Sequence, residues 1–190
     1  EHMDTHYCNA QFKYLKERAM ELGDKCTLIC ADDKAKVPVG EPGTAVSTGV
    51  RGRQSIVPVN TTIASLDHDM TKASITPSVM FEVAIPKTPS MKESFYTGLV
   101  HVFINDSVFE VSSPFRHGSG LVKILQEKPL KPVLLKFTDG GVDQRNTLES
   151  VKIASICLFK ELNLDMLILA RCAPGQSWMN PAERQMAYSF

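Results

Sequence analysis

The sequence has no uninterrupted apolar run near the roughly 18 residues that a membrane-spanning helix requires. Its opening Glu1-His2-Met3 lacks the basic region and apolar stretch of a secretory signal; it reads as a remnant of an expression tag, which removes His2 from the functional candidates. Neither charge is in excess, Lys plus Arg and Asp plus Glu being 21 each. A dedicated nucleic-acid-binding domain carries a clear basic excess, so any affinity for DNA must come from local patches, from cations or from other parts of a longer protein. No CxxC pair is present to seed a zinc site. The cysteines, Cys8, Cys26, Cys30, Cys157 and Cys172, are odd in number and irregularly spaced, which excludes a disulfide framework and leaves reduced, buried thiols of an intracellular protein. Internal repeats and low-complexity segments are absent as well.

What remains is an ordinary globular composition, 43% hydrophobic and 22% charged, over 190 residues, enough for one domain with a substantial core. From Tyr7 to Leu22, Phe12, Leu15, Ala19 and Leu22 recur at helical spacing and Gly23 supplies a stop. Cys26 to Ala31 is a short apolar run ending in Asp32-Asp33, which suits a strand buried on both faces. Val37 to Pro58, rich in Gly and Pro and carrying Arg51 and Arg53, reads as a long loop or irregular hairpin. Ser78 to Ile85 and Tyr96 to Val111 alternate at strand period, the second broken at Asn105-Asp106. A short helix is expected over Gly120 to Gln126.

The last third is the most legible. Pro132 to Phe137 is an apolar strand running into Thr138-Asp139-Gly140-Gly141. Asn146 to Asn163 reads as a helix, with Asn146 and Glu149 at capping-box spacing and Asn163 as its stop. Its apolar stripe of Leu148, Val151, Ala154, Leu158 and Leu162 is widened by Ile153, Ile156 and Cys157, as expected of a helix packed on a sheet. Asp165 to Ala170 is a further strand, Ala173-Pro174-Gly175 a turn, and Asn180-Pro181 opens a final helix. Antiparallel strands followed by βαβ units predict an α/β fold, a mixed sheet with helices on its faces. We expect an N-terminal helix over residues 1–24 and a core over residues 25–190 that continues past its last residue.

Three acidic residues fall at element edges: Asp32 ends the first buried strand, Asp139 follows the strand to Phe137, and Glu183 lies in the first turn of the last helix. If those two strands are neighbours, the aspartates meet, and a helix packed across the sheet can bring Glu183 beside them. Three carboxylates without basic partners repel one another and are stable mainly around cations. Hard oxygen donors suit Mg²⁺ or Mn²⁺. Each residue alone has a plainer reading, as a turn or cap residue or as a partner of the helix dipole.

Ile29-Cys30-Ala31-Asp32-Asp33-Lys34, Leu135-Lys136-Phe137-Thr138-Asp139-Gly140-Gly141, and the stretch from Ala173 to Arg184 containing Asn180-Pro181-Ala182-Glu183 resemble the signatures of RNase H-like DDE transposases and integrases. The Asn-Pro-x-Glu segment is the most specific. The resemblance runs from about Cys26 to the end. It implies an RNase H-like, mixed five-stranded sheet flanked by helices, two Mg²⁺ or Mn²⁺ ions, and DNA strand cleavage and strand transfer. It also implies DNA as partner, a homo-oligomer on DNA, and nuclear action in a eukaryote, otherwise cytoplasmic. By position it makes Asp32, Asp139 and Glu183 the catalytic metal ligands; Asp33 is the rival of Asp32, which is preferred because the family pattern places a variable residue and then Lys, here Lys34, after its Asp. The chain departs from the family in having a single helix before the core, no zinc module, neutral charge and a long interval between Asp32 and Asp139. A domesticated, non-catalytic DNA- or protein-binding module and another RNase H-like nuclease are the alternatives.

Other residues admit two readings each. Lys34, Lys36, Arg51 and Arg53 can contact phosphates or line a solvated loop. Trp178 can stack on a base or brace the last helix. Asp67-His68-Asp69 is read as loop, and His117 as a phosphate contact or plain loop.

Overall fold

A computed structural model describes residues 2–38, 58–60, 74–88 and 94–189, with side chains to Met186. Arg51, Arg53 and the Asp67-His68-Asp69 segment lie outside the described residues, as does most of the expected loop from Val37 to Pro58. Among the described residues no helix is long and apolar enough to cross a membrane.

The first helix, α1 (Thr5–Leu22), buries Cys8, Phe12, Leu15 and Ala19, one face at intervals of four and three. It ends at Gly23, whose positive φ of 53° a residue with a Cβ rarely adopts and whose N–H reaches the Ala19 carbonyl. Strand β1 (Cys26–Asp33) is buried along almost its whole length, as its continuous apolar run requires. After a two-residue strand β2 (Val37–Pro38) come β3 (Ser74–Val83) and β4 (Gly98–Asp106), then α2 (Pro114–Gln126), β5 (Val133–Thr138), α3 (Glu149–Glu161), β6 (Met166–Arg171) and α4 (Pro181–Ser189).

The principal strands are ordered β4-β3-β1-β5-β6. β4, β3 and β1 pair antiparallel, whereas β1, β5 and β6 run parallel. β2 pairs with Ser74 and Ile75 on the edge of β3 opposite β4, so it prolongs the line of β1. Among the described residues the five principal strands, with the short β2 as a sixth, make a mixed sheet flanked by helices, the RNase H-like arrangement.

Strand alternation divides the core in two. Cys26, Leu28 and Cys30 join Val79, Phe81, Leu135 and Phe137 under α1 and α4, where the rings of Phe12 and Phe137 stack at 3.9 Å. Ile29 and Ala31 join Met80, Leu134, Leu121 and Leu158 under α2 and α3. The same alternation sends Asp32 and Asp33 to opposite faces of the sheet.

Several boundaries differ from expectation for local physical reasons. α2 begins at Pro114 rather than Gly120, because the Ser113 hydroxyl caps the Arg116 N–H and Pro114 occupies the first helical position. α3 has Leu148 at its cap, with no side-chain cap bond, so the expected Asn146 capping box is not formed. Asn146 instead sits inside a turn closed by the Leu148 N–H on the Arg145 carbonyl. The residues expected to widen the α3 stripe, Ile153, Ile156 and Cys157, are exposed; Val151, Ala154, Leu158 and Leu162 alone make the buried face. Cys157 is therefore not a buried thiol, whereas Cys8, Cys26, Cys30 and Cys172 are buried and free. β4 stops at Asp106 because its carboxylate accepts the N–H groups of Val108 and Phe109 in a turn, so the strand expected up to Val111 is absent.

Leu28 is fully buried at the centre of β1. Leu28→Ala is expected to cost about 2–5 kcal/mol of unfolding free energy in urea denaturation, against less than about 0.5 kcal/mol for a surface control such as Lys13→Ala.

Candidate functional site

The parallel pairing of β1 and β5 ends at Ala31 and Thr138, so the next residue of each strand, Asp32 and Asp139, emerges side by side at the sheet's end. Glu183 is brought to the same place by Asn180. That side chain is fully buried, donates from Nδ2 to the Ala31 carbonyl at 3.0 Å, and accepts the Ala182 N–H at 3.2 Å. One amide thus caps α4 and fastens its first turn to the residue preceding Asp32. Pro181 follows at the first helical position, where its missing N–H costs nothing.

Asp32, Asp139 and Glu183 line one cleft of about 460 Å³, together with Asp33, Lys34, Ala35, Ser177 and Met186. Asp32 and Asp139 also border a larger cleft of about 670 Å³ that runs past Lys34, Lys36, Ser112, Asp143 and Ser150. The aspartate pair stands where the two clefts join. Gly141 packs closely beside it: a Cβ there would sit 3.1 Å from Asp143 Oδ1, a tight contact, and 3.5 Å from both Asp139 carboxylate oxygens. Its N–H donates to Asp139 Oδ1 at 2.9 Å, and Gly140 turns the chain with a φ of 82°.

The electrostatics of the cleft are unbalanced. Burial, and then the negative charges of Asp139 and Glu183, push the Asp32 carboxyl up to about 8, against the pull of one hydrogen bond from the Asp33 N–H. Burial and the same carboxylates push the Cys172 thiol up to about 12, which leaves it protonated and unsuited to act as a nucleophile. Such a donor set of hard oxygens, short of compensating charge, fits a divalent cation.

Asp33 belongs to a second cluster on the α2 face. Its Oδ2 pairs with Arg116 and accepts from Ser112 Oγ at 2.8 Å. Ser112 Oγ is also within hydrogen-bond reach of Asp143, its one proton serving either carboxylate, and Asp143 Oδ2 lies 2.6 Å from His117 Nε2. Burial would raise the Asp143 carboxyl, but the hydrogen bonds of His117 and Ser112 win and hold it well below the usual range. Ligand atoms of Asp33, His117 and Asp143 lie within 4.8 Å of one another, a spacing at which a metal ion could be held. Burial lowers Lys136, on the same face, to about 8, against the opposing pull of Asp143 and Asp33.

The structure therefore gathers the three expected carboxylates and separates the Asp32-Asp33 pair between two environments. His117 is no loop residue: it is 1% exposed on α2 and bonded to Asp143. Trp178 is 59% exposed in a short 3₁₀ turn, Ser177–Met179. Asp143, Ser112 and Arg116 escaped sequence reasoning; the one available signal was Ser113-Pro114, a helix start that would have set Arg116 and His117 one turn in.

No family model matches the chain, and no curated protein matches it. Among solved structures it is similar to a chain in the crystal structure of the Mos1 Strand Transfer Complex, at 11% sequence identity and a TM-score of 0.46. The match covers 98% of this chain and 48% of that one, so the chain spans about half its length.

The raised Asp32 carboxyl gives a pH dependence of definite sign. Its folded value, about 8, lies above the ordinary 3.8. The neutral form therefore stabilises the fold fully below about pH 4, and that contribution is lost as pH rises towards 8. In EDTA, Asp32→Asn is expected to gain stability relative to the wild type progressively across this window, by on the order of a few kcal/mol. Urea denaturation at several pH values measures the gap, and a gap that does not change with pH would contradict the assignment.

Proposed function

We propose that this chain is a DDE-type catalytic domain, a divalent-metal-dependent polynucleotidyl transferase that cleaves DNA strands and joins them. The observation that carries the reading is the convergence of Asp32, Asp139 and Glu183 on one cleft, with Asp32 held protonated at neutral pH by burial and by the other two charges. A carboxyl kept neutral by its neighbours gives up its proton readily once a cation replaces it.

Asp32, Asp139 and Glu183 would hold Mg²⁺ or Mn²⁺. When bound, two such ions activate a water or a DNA 3′-hydroxyl and stabilise the leaving oxygen at phosphorus. The chain's own residues do the rest. Asn180 orients Glu183, the Gly141 N–H orients Asp139, and the bare backbone of Gly140 and Gly141 lets a phosphodiester approach. Lys34 and Lys36 line the larger cleft, where cationic side chains would meet the DNA backbone without reading its sequence. Trp178, exposed close to Glu183 in sequence, offers an aromatic face to a base. DNA is the partner under this reading, bound by a homo-oligomer, in the nucleus where the host is eukaryotic.

The test is melting in the presence of metal. At a Mn²⁺ concentration ten times its Kd, binding to the folded state is worth about 1.4 kcal/mol, or roughly 3–6 °C in Tm. Asp139→Asn should abolish the rise, EDTA should reverse it, and the wild type should nick duplex DNA with Mn²⁺. A wild-type melting curve indifferent to millimolar metal would favour a non-catalytic binding module; cleavage of RNA–DNA hybrids alone would favour a different nuclease.

A further inference from the structure

We propose that Ser112, Arg116 and His117, at the start of α2, form a positioning clamp that holds the ends of β1 and β5 together from the face opposite Glu183 and so sets the separation of Asp32 and Asp139. This rests on the reading of those carboxylates as metal ligands.

The need for a clamp follows from where the sheet stops. Main-chain pairing between β1 and β5 ends at Ala31 and Thr138, one residue short of the two aspartates. Beyond that point the strands carry like charges and no ladder opposes their separation. The residues that reach past the ladder lie on the α2 face. On β1, Asp33 is gripped by Arg116 and by Ser112 Oγ. After β5, Asp143 is gripped by His117 Nε2 and lies within reach of the same Ser112 Oγ, whose one proton is shared between Asp33 and Asp143. Ser112 touches both chain segments and also accepts from the Arg116 guanidinium at 3.1 Å. A single hydroxyl and two consecutive helix residues thus bridge the gap.

Each grip is coupled to a carboxylate of the cleft through a short stretch of backbone. Asp33 is the residue after Asp32, and its N–H donates to Asp32 Oδ1 at 2.9 Å. Asp143 sits in a tight turn in which the Gln144 N–H reaches the Gly141 carbonyl at 2.9 Å and the Gly141 N–H reaches Asp139 at 2.9 Å. A displacement of Asp143 must pass through that turn to Asp139.

The clamp is also balanced in charge, unlike the cleft. Asp33 pairs directly with Arg116, and Lys136 feels the charges of both Asp143 and Asp33. A carboxylate only accepts hydrogen bonds, so His117 donates through Nε2 to Asp143, while its buried Nδ1 has no hydrogen-bond partner. The separation of 2.6 Å between Nε2 and Asp143 Oδ2 is that of a direct hydrogen bond. Arg116 pairs with Asp33 Oδ2, whereas Asp33 Oδ1 is buried without a hydrogen-bond partner. The grips on Asp33 and Asp143 orient the ligands on the other face of the sheet.

The experiment is a Mn²⁺ titration of the full chain followed by melting temperature, each variant compared with its own metal-free state so that a general loss of stability cancels. His117→Leu should weaken the apparent Mn²⁺ affinity by roughly 10–100-fold, and His117→Gln, which keeps an N–H donor near the Nε2 position, should restore it. Ser112→Ala, a smaller change, should weaken affinity in the same direction and carries the test if His117→Leu does not fold. Asp139→Asn should remove the response. A wild-type response that depends on Asp139 but is unchanged in His117→Leu and Ser112→Ala overturns the clamp and leaves the carboxylate reading standing. A wild type with no Asp139-dependent response overturns that reading and the clamp with it. Loss in His117→Leu of a separate class of Mn²⁺ sites that Asp139→Asn retains would make Asp33, His117 and Asp143 a metal site and overturn the clamp.

Discussion

Like charges gathered at the open end of a parallel strand pair dictate most of what is particular to this molecule. Burial and two neighbouring negative charges both disfavour ionisation of Asp32. A hydrogen bond offsets only about 1 kcal/mol, so the N–H groups of Asp33 and Gly141 do not neutralise the pair they serve. Something of opposite charge must enter. Without metal it is a proton: burial first, and then the charges of Asp139 and Glu183, push the Asp32 carboxyl up to about 8. The proposed divalent cations would take that proton's place.

The sheet keeps this tension in one place. Successive residues of β1 point to opposite faces, so the acidic doublet at its end serves two unlike sites. Asp32 meets Glu183 and Asp139 in a cleft of unbalanced negative charge. Asp33 meets Arg116 and Ser112 in a network whose charges cancel. Both sides depend on helix starts: Asn180 ties α4 to β1 above the sheet, and the first turn of α2 ties β1 to the loop after β5 below it.

The sequence made the cleft legible because its residues sit where local rules are strong. Apolar runs marked β1 and β5, and an aspartate stands at or just past the end of each. Asn180-Pro181 is a helix start whose capping chemistry is local, and it places Glu183 in the first turn whatever surrounds it. Which of Asp32 and Asp33 faces the cleft was open until the register was known, since a shift of one residue reverses every side chain. The α2 network was illegible for a different reason. Its members are joined across long stretches of chain, Asp33 to Arg116 and His117 to Asp143, and no local periodicity records such pairings. The missed helix start at Ser113-Pro114 hid the fact that Arg116 and His117 share a turn. The exposure of Ile153 and Ile156 shows the same limit from the other side, because the width of an apolar stripe does not say how much of it a neighbour covers.

The account stands on three carboxylates sharing cations, and anomalous scattering from crystals soaked in Mn²⁺ tests it most directly. Density bounded by Asp32, Asp139 and Glu183, absent from Asp139→Asn crystals, is the predicted result. Manganese found only at Asp33, His117 and Asp143, or nowhere on the protein, would contradict it.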